Sequence, residues 1–317
     1  MFENKVKIRS SQRRILLAIL ATLGLSTATQ AGWVTDKIVT HIQQSIRYHQ
    51  LPIVHKRLNV DQRVRSFELF NPNPNTQSQP LLIALHGGGG NSSQMIKRFQ
   101  AQAKAHGFLL VAPQGIGPSE KKGVWNSGGC CGDAVQQQVD DVRFIQQLIA
   151  YLKQHYAIDS TRIYIAGFSN GGMLTYQLAE QMGTQLAAVA VVSGAMFEQP
   201  PVAKAPVPIL MIHGTRDHVV PVAGGVSSIG FVAKAQTKAF EPVQFPLQYW
   251  KAANQCQTLS EEVMSKQVTR LKGEGCAADL MFYQLAKGHH VWPASTNPHD
   301  RVDASTLIWS FFERHHR

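Results

Sequence analysis

The strongest chemical signal in the chain is the pentapeptide at residues 167–171, which reads Gly-Phe-Ser-Asn-Gly and places Ser169 between two glycines. Residues 162–166, predicted to be a strand buried at residues 163–165, come before it, and a segment with helical spacing follows. A strand that turns sharply into a helix holds a serine hydroxyl clear of the sheet, and glycines two positions away on either side leave room for that turn. We therefore predict that Ser169 is a nucleophile.

A serine hydroxyl is a poor nucleophile unless a base takes its proton. In a fold with this motif, an acid and a histidine follow the serine along the chain, each after a later strand. Asp217 and the adjacent pair His289 and His290 each come just after an apolar run that predicts a strand. Loops at the carboxyl ends of parallel strands share one rim, so Ser169, Asp217 and one histidine are predicted to meet. Residue chemistry alone does not separate His289 from His290.

A glycine-rich loop could stabilise the negative charge that such a reaction creates. Residues 86–90 read His-Gly-Gly-Gly-Gly and follow an apolar run. Backbone N–H groups of this kind of loop can point at a developing alkoxide, and the N–H of Asn170 is predicted to be a second donor. The Lys-Ser/Thr pair of a phosphate-binding loop is missing, which argues against a phosphate site. His86 is predicted to brace the loop.

The elements that must position these groups alternate between strands and helices. Strands are predicted over residues 64–70 (an edge strand), 81–85, 108–112, 162–166, 187–192, 209–213 and 280–285. Helices are predicted from Ser92 or Ser93 to about His106, from Asp140 and Asp141 onward, over 171–182 and over 306–314. Strands that are apolar throughout, alternating with helices, indicate one α/β domain with a mostly parallel sheet and helices on both faces. Residues 32–60 are interpreted as a leader onto the domain, and residues 114–133 as a loop.

The first 31 residues predict export. Basic side chains precede a short apolar run at residues 15–25, and small residues follow it. This order is typical of a secretory signal peptide, with cleavage after Ala31 favoured over cleavage after Ala28. A retained N-terminal anchor is the alternative, although the run is short for a membrane span. The predicted mature protein is therefore residues 32–317, secreted to the periplasm or the exterior, without integral membrane association.

Composition and charge exclude several function classes. The chain is 44% hydrophobic and 16% charged, which excludes a disordered or fibrous protein. Its net charge of +11 falls to +7 once the predicted signal peptide is removed. No basic run interleaved with aromatic residues and no nucleic-acid motif is present, so the charge predicts a solvated surface and no nucleic-acid partner.

Export would place the four cysteines in an oxidising compartment, where three pairings are possible. Cys256 and Cys276 lie 20 residues apart in one polar stretch, and they are predicted to form a disulfide. The adjacent Cys130 and Cys131 can either form a vicinal bridge or stay reduced. No Cys and His pairs have the spacing of a zinc site, so neither a metal nor a cofactor is predicted.

From about Arg63 to its end, the chain resembles the secreted polyhydroxybutyrate depolymerase-like esterases, which include feruloyl and acetylxylan esterases. The matching blocks are residues 85–91, Trp125-Asn126 with Cys130-Cys131, 139–142, 158–164, 167–173, and 213–215 with Asp217 and Pro221. The last block of the family reads Gly-Gly-His-x-Trp-Pro, and residues 288–293 align with it as Gly-His-His-Val-Trp-Pro. This register implies that His290 is the base and that His289 occupies a position where glycine is usual.

The resemblance implies an α/β-hydrolase fold and a carboxylic ester hydrolase that needs no cofactor. Ser169 would attack the ester, His290 would move the proton, Asp217 would orient His290, and the N–H groups of Gly88 and Asn170 would hold the oxyanion. The family divides over several esters, so polyhydroxybutyrate or its oligomers, feruloyl esters and acetyl-xylan all stay open as substrates. The alternatives are a serine peptidase on the same fold and a catalytically silent secreted binding protein.

Overall fold

A ten-stranded sheet organises the part of the chain that the computed structural model describes, namely residues 52–119, 121–198, 200, 202–297 and 302–317. Both predicted cleavage positions, after Ala28 and after Ala31, lie outside these residues. Pro52–Arg317 forms one compact unit. Within the described residues, no helix combines the length and the apolar character needed to cross a membrane.

The strands of the structure, numbered along the chain, are β1 (Val54–Val60), β2 (Arg63–Phe70), β3 (Gln79–Leu85), β4 (Leu109–Pro113), β5 (Ile116–Ser119), β6 (Lys122–Val124), β7 (Ile158–Phe168), β8 (Ala188–Val192), β9 (Ile209–Gly214), β10 (Thr258–Ser265), β11 (Val268–Glu274) and β12 (Leu280–Leu285). The main sheet has the order β1-β2-β4-β3-β7-β8-β9-β12-β11-β10, and β5 pairs separately with β6. The six central strands, from β4 to β12 in that order, are parallel, and the outer pairs are antiparallel. The prediction of a mostly parallel sheet is therefore confirmed.

The described helices are α1 (Ser92–His106), α2 (Gly132–Gln136), α3 (Asp141–His155), α4 (Asn170–Met182), α5 (Gly230–Ala235), α6 (Gln244–Ala253) and α7 (Ala304–Phe312). The prediction that Ser92 or Ser93 caps α1 is wrong, because the side chain of Asn91 accepts the hydrogen bond from the N–H of Gln94. Asn91 is preferred as a cap because its side-chain oxygen satisfies one of the free N–H groups of the first turn.

Helices cover both faces of the sheet, as alternate residues of β7 show. Ile163 and Ile165 are fully buried in a core that includes residues of α3, α4 and α6. Tyr164, between them, points to the other face and stacks on Phe312 of α7 with 4.9 Å between the ring centroids. Successive side chains of a strand point to opposite faces, so a strand buried on both sides is apolar throughout.

The sequence reading missed the strands at the two ends of the sheet. Residues 54–60, interpreted as leader, form β1, which pairs with β2, so β2 is not the edge strand that was predicted. The hairpin β10–β11 was also missed, because β10 is largely exposed and carries no apolar periodicity. The predicted loop at residues 114–133 contains the short hairpin β5–β6 and the start of α2.

The structure joins Cys256 to Cys276, the pairing that the sequence predicted. The first residue pair of the β10–β11 hairpin is Thr258 with Glu274, so the disulfide lies just beyond the open end of that hairpin. Cys130 and Cys131, whose state the sequence left open, are bonded to each other. Both are buried in a small cluster beside α4.

Candidate active site

The carboxyl ends of the central parallel strands lie at one rim of the sheet. Residues at these ends pair as Leu85 with Gly167, Phe168 with Val192, and Leu285 with Gly214. The loops after β3, β7, β9 and β12 therefore begin side by side. These four loops carry the glycine-rich segment, Ser169, Asp217 and His290, which is the convergence that the strand order predicts.

Ser169 stands at the turn between β7 and α4, with φ 53° and ψ −122°. This positive φ is rare for a residue with a side chain, and such conformations concentrate at functional sites. A Cβ atom on Gly167 would lie 2.2 Å from the carbonyl oxygen of Gly171, and one on Gly171 would lie 2.4 Å from that of His86. Only glycine fits at either position. The Ser169 N–H donates to the carbonyl of Val192 at 2.8 Å, which ties the turn to the neighbouring strand.

Ser169, His290 and Asp217 form a continuous hydrogen-bonded chain. His290 Nε2 lies 2.9 Å from Ser169 Oγ, and His290 Nδ1 lies 2.7 Å from Asp217 Oδ2. An ionised carboxylate can only accept hydrogen bonds, so Nδ1 carries the hydrogen and Nε2 is left to accept the serine proton. The geometry suits transfer of a proton from Ser169 to His290.

Asp217 is held as a buried anion. Its Oδ1 accepts hydrogen bonds from the N–H groups of Val219 and Val220, at 2.9 and 2.8 Å. Burial by itself raises the pKa of Asp217, but the hydrogen bond and the charge of His290 outweigh it, so the pKa lies below its ordinary value. The carboxylate is therefore ionised at neutral pH, where it can orient His290 and stabilise its protonated form.

Two neighbouring histidines have other surroundings. His213 is buried, and its Nε2 donates to the carbonyl of Val220 at 2.9 Å, so it braces the loop that carries Asp217. Burial lowers the pKa of His213, which favours its neutral form. His289 is exposed, and its ring lies 6.3 Å from that of His218. Of the two candidates at positions 289 and 290, only His290 contacts Ser169 in the described structure.

The glycine-rich loop lies against the serine. A Cβ atom on Gly87 would lie 3.2 Å from Ser169 Cβ, and one on Gly88 would lie 3.5 Å from Asn170 Cβ. Within the described residues, the N–H groups of Gly88 and Asn170 donate to no other protein group. Two free donors beside a serine hydroxyl are what an oxyanion site requires.

His86 braces this loop. Its Nε2 accepts a hydrogen bond from the N–H of Gly115 at 3.0 Å, and its Nδ1 lies 2.8 Å from the carbonyl of Gly87. Burial lowers the pKa of His86 to about 4, so it is neutral at physiological pH. The indole N–H of Trp125 donates to the His86 carbonyl at 2.8 Å.

The side chain of Asn170 has a positioning role that sequence reasoning missed. Its Oδ1 accepts from the N–H of Trp125 at 2.7 Å, and its Nδ2 donates to the carbonyl of Trp125 and to Ser127 Oγ. Asn170 therefore ties the loop of residues 125–131 to the first turn of α4. The partners are more than 40 residues apart, and no spacing rule connects them.

A buried ion pair holds the other side of that loop. Arg65 Nη2 lies 2.6 Å from Asp141 Oδ1, and the N–H of Asn126 donates to Asp141 Oδ2 at 2.7 Å. Arg65 comes from β2 and Asp141 from the first turn of α3. No group of three His, Cys, Asp or Glu side chains that could hold a metal ion occurs among the described residues.

Comparison with known proteins finds a family and individual relatives that resemble this chain. A family model described as phospholipase/carboxylesterase matches residues 71–248. A bifunctional acetylxylan esterase/xylanase of Neocallimastix patriciarum is 32% identical over 158 residues, which are 49% of this chain and 22% of that protein. A probable feruloyl esterase C of Aspergillus clavatus is 27% identical over 248 residues, 75% of this chain and 78% of that protein.

Among solved structures, an acetyl xylan esterase from Aspergillus awamori matches with a TM-score of 0.56 and 12% sequence identity. The match covers 82% of this chain and 99% of that chain. At this identity the likeness shows the fold alone.

Proposed function

This chain belongs to the phospholipase/carboxylesterase family and has the α/β-hydrolase fold, and we propose that it is a serine esterase acting through an acyl-enzyme. The observation that carries the proposal is the Ser169–His290–Asp217 chain of hydrogen bonds, at 2.9 and 2.7 Å. The free N–H groups of Gly88 and Asn170 beside the serine add to it. These parts supply a nucleophile, a base, an orienting anion and an oxyanion site.

In the first half of the reaction, Ser169 Oγ attacks the ester carbonyl carbon while His290 Nε2 takes the hydroxyl proton. The carbonyl oxygen becomes negative and accepts hydrogen bonds from the N–H groups of Gly88 and Asn170. The ionised Asp217 stabilises the protonated His290. His290 then gives its proton to the leaving alcohol, and the acyl group stays on Ser169.

In the second half, water takes the place of the alcohol. His290 accepts a proton from the water as it attacks the acyl carbon, and the same two N–H groups hold the oxyanion. Collapse of this intermediate breaks the bond to Ser169 Oγ, and His290 returns the proton to the serine. Free acid leaves, and the enzyme is regenerated without a cofactor or a metal.

The proposed substrates are esters of hydroxycinnamic or acetic acid on plant polysaccharides or their oligomers. Two relatives support this choice, since they are named as an acetylxylan esterase/xylanase and a probable feruloyl esterase. Oligomers of 3-hydroxybutyrate are the second substrate class, on the resemblance of the sequence blocks. The proposed place of action is outside the cytoplasm, after cleavage behind Ala31, which N-terminal sequencing of the exported protein would test.

A substrate panel tests the proposed function. Purified wild type and Ser169→Ala are compared on p-nitrophenyl acetate, a hydroxycinnamoyl ester, acetylated xylo-oligosaccharide, a 3-hydroxybutyrate oligomer and an aminoacyl p-nitroanilide. We expect wild type to hydrolyse esters and the variant to be inactive on all of them. Turnover of the anilide in preference to every ester would support the peptidase alternative. Absence of turnover on the whole panel would support a silent binding protein.

A further inference from the structure

Arg98, in the second turn of α1, is half-buried and carries its guanidinium group against two aromatic rings. Its Cζ atom is 4.8 Å from the centre of the Phe168 ring and 4.8 Å from the centre of the Trp292 ring. Phe168 immediately precedes Ser169, and Trp292 follows His290 by two positions. A cation–π contact holds a guanidinium group in place without occupying its N–H donors. Arg98 is therefore fixed beside two of the loops that build the candidate active site.

In the described part of the chain, the guanidinium group of Arg98 has no anionic partner. Its Nη1 donates to the sulfur of Met95 at 3.2 Å, and its Nε and Nη2 atoms have no partner there and are open to solvent. α1 itself contains no Asp or Glu. Burial lowers the pKa of Arg98 to about 10, so the group is still charged at neutral pH. A partly buried charge is costly unless it is paired, so this cation favours an anion supplied by a ligand.

The ring of Phe168 connects Arg98 to the proposed base. Its centre lies 5.1 Å from the centre of the His290 imidazole. Since the guanidinium carbon of Arg98 lies 4.8 Å from the same ring centre, it is at most 9.9 Å from the centre of the imidazole. Arg98, Phe168, Trp292 and His290 are all half-buried, so solvent reaches the cluster that these four side chains form.

A leaving alcohol that carries a carboxylate matches this spacing. In a 3-hydroxybutyrate leaving group, the carboxylate carbon is three bonds from the ester oxygen, a span of about 3.8 Å when the chain is extended. In the proposed reaction, His290 protonates that ester oxygen. With a hydrogen bond of about 2.8 Å at each end, one to His290 and one to Arg98, the leaving group can bridge the distance between the two side chains.

We propose that Arg98 is a specificity-determining residue that binds a carboxylate on the alcohol side of the ester. The inference rests on the proposed ester hydrolysis at Ser169 and names a substrate class for it, namely esters whose alcohol is also an acid. The N–H groups on Nε and Nη2 point to the same side of the guanidinium plane, so they can donate two parallel hydrogen bonds to one carboxylate. The terminal unit of a 3-hydroxybutyrate oligomer and a uronic acid of a polysaccharide both present such a group.

The test compares kcat/KM for acetate release from 3-acetoxybutyrate and from 3-acetoxybutyramide, which has the same ester and no charge. We expect the ratio of acid to amide to fall about tenfold in Arg98→Met, because the charge-assisted hydrogen bonds are lost. Arg98→Lys keeps the charge without the paired donors and should recover part of the ratio. Lys97→Met removes a charge from the neighbouring exposed position of α1 and is the matched control, which should keep the wild-type ratio.

Acetylated glucuronic acid and its amide, measured in the same way, distinguish the two sources of the carboxylate. A fall of the ratio in Arg98→Met for one pair supports the inference and identifies the source. A ratio in Arg98→Met that equals the wild-type ratio for both pairs would overturn the inference. This holds even if both rates fall together, because Arg98 would then only support the rings beside His290.

A binding measurement separates these outcomes from failure of the proposed function. Calorimetry on Ser169→Ala should detect 3-acetoxybutyrate, and the added change Arg98→Met should weaken that binding about tenfold. Equal binding of 3-acetoxybutyrate and 3-acetoxybutyramide to Ser169→Ala would mean that the charge is not recognised and that the inference is wrong. If wild type hydrolyses no ester, the proposed function fails while the calorimetry still decides the role of Arg98.

Discussion

His289 and His290 are adjacent, and consecutive side chains cannot both face Ser169. The structure turns His290 toward the serine and leaves His289 exposed near His218. The residue order alone left both open, and only the family register, with its Trp-Pro ending, favoured His290. The hydrogen bond from His290 to Asp217 adds an independent reason, since the proposed base needs a partner that orients it.

Replacing each histidine in turn tests this assignment. His290→Ala should lose at least about 10³-fold in kcat, because no base then takes the proton of Ser169. His289→Gly should keep most of its activity, because the His289 side chain contacts neither Ser169 nor Asp217 in the described structure. Initial rates on p-nitrophenyl acetate measure both variants. An inactive His289→Gly and an active His290→Ala would mean that the register is wrong by one residue.

Glu180 makes the stability of the protein depend on pH. Burial raises its pKa from 4.5 to about 8 in the folded protein, so the folded state holds the proton more tightly than the unfolded state. The free energy of unfolding should therefore fall as pH rises from about 4.5 through 8. Glu180→Gln cannot ionise, and its Tm should exceed that of wild type by a few degrees at pH 9 and by little at pH 5.

The control variant is Glu198→Gln, which changes an exposed glutamate. Parallel Tm curves for wild type and Glu180→Gln would contradict the raised pKa of Glu180.

Residue identities could be predicted where a short motif carries them. Ser169 follows from its pentapeptide, and Asp217 from its place after a strand. Asn170 and Glu180 could not be found in this way. Their roles depend on a loop that folds back from residues 125–131 and on burial against distant segments, neither of which leaves a local pattern.

At the scale of elements, the loop of residues 125–131 is held between two anchors. Asn170 fixes it from α4, and the Arg65–Asp141 pair fixes it from β2 and α3 through the N–H of Asn126. Arg65 also lies 4.0 Å from the ring centre of Phe144. The position of the glycine-rich loop depends on the same anchors, because the indole N–H of Trp125 donates to the His86 carbonyl.

Breaking the ion pair should destabilise the protein strongly. Asp141→Asn leaves the buried Arg65 without an anionic partner, and we expect a loss of about 3–5 kcal/mol in the free energy of unfolding. The double variant Arg65→Met/Asp141→Leu removes both charges and should recover most of that loss. Urea unfolding measures the free energy of unfolding of wild type, the single variant and the double variant. A free energy of unfolding for Asp141→Asn within about 1 kcal/mol of wild type would show that the ion pair does not hold these elements together.

Elements were predictable where burial on both faces makes a strand apolar throughout. Thus the predicted ends of β3 and β9 lie within two residues of the observed ends. The predicted and observed bounds of β12 are the same. The outer strands β1, β10 and β11 were not predicted, because most of their side chains are half-buried or exposed and their place depends on pairing with a neighbour.

At the scale of the whole molecule, the hairpin β10–β11 extends the sheet beyond β12, and the Cys256–Cys276 disulfide lies at the open end of this hairpin. Cys256 and Cys276 are 20 residues apart in the sequence. In the chain-entropy model, a disulfide that closes a loop of this length stabilises the folded protein by about 3 kcal/mol. The variant Cys256→Ser/Cys276→Ser should lose about that much free energy of unfolding. Denaturant unfolding of this variant, with Cys130 and Cys131 intact, isolates the contribution. A loss below about 0.5 kcal/mol would contradict it.

The fold brings Ser169, Asp217 and His290 to one rim from three different strands, and in the proposed mechanism Ser169 carries the acyl group. The most direct measurement is mass spectrometry of the protein after reaction with a fluorophosphonate, with peptide mapping of the adduct. We predict a single adduct on the peptide that contains Ser169, formed more slowly while an ester substrate is in excess and absent from correctly folded Ser169→Ala. Ester turnover that persists in Ser169→Ala, or an adduct on a different residue, would contradict the claim.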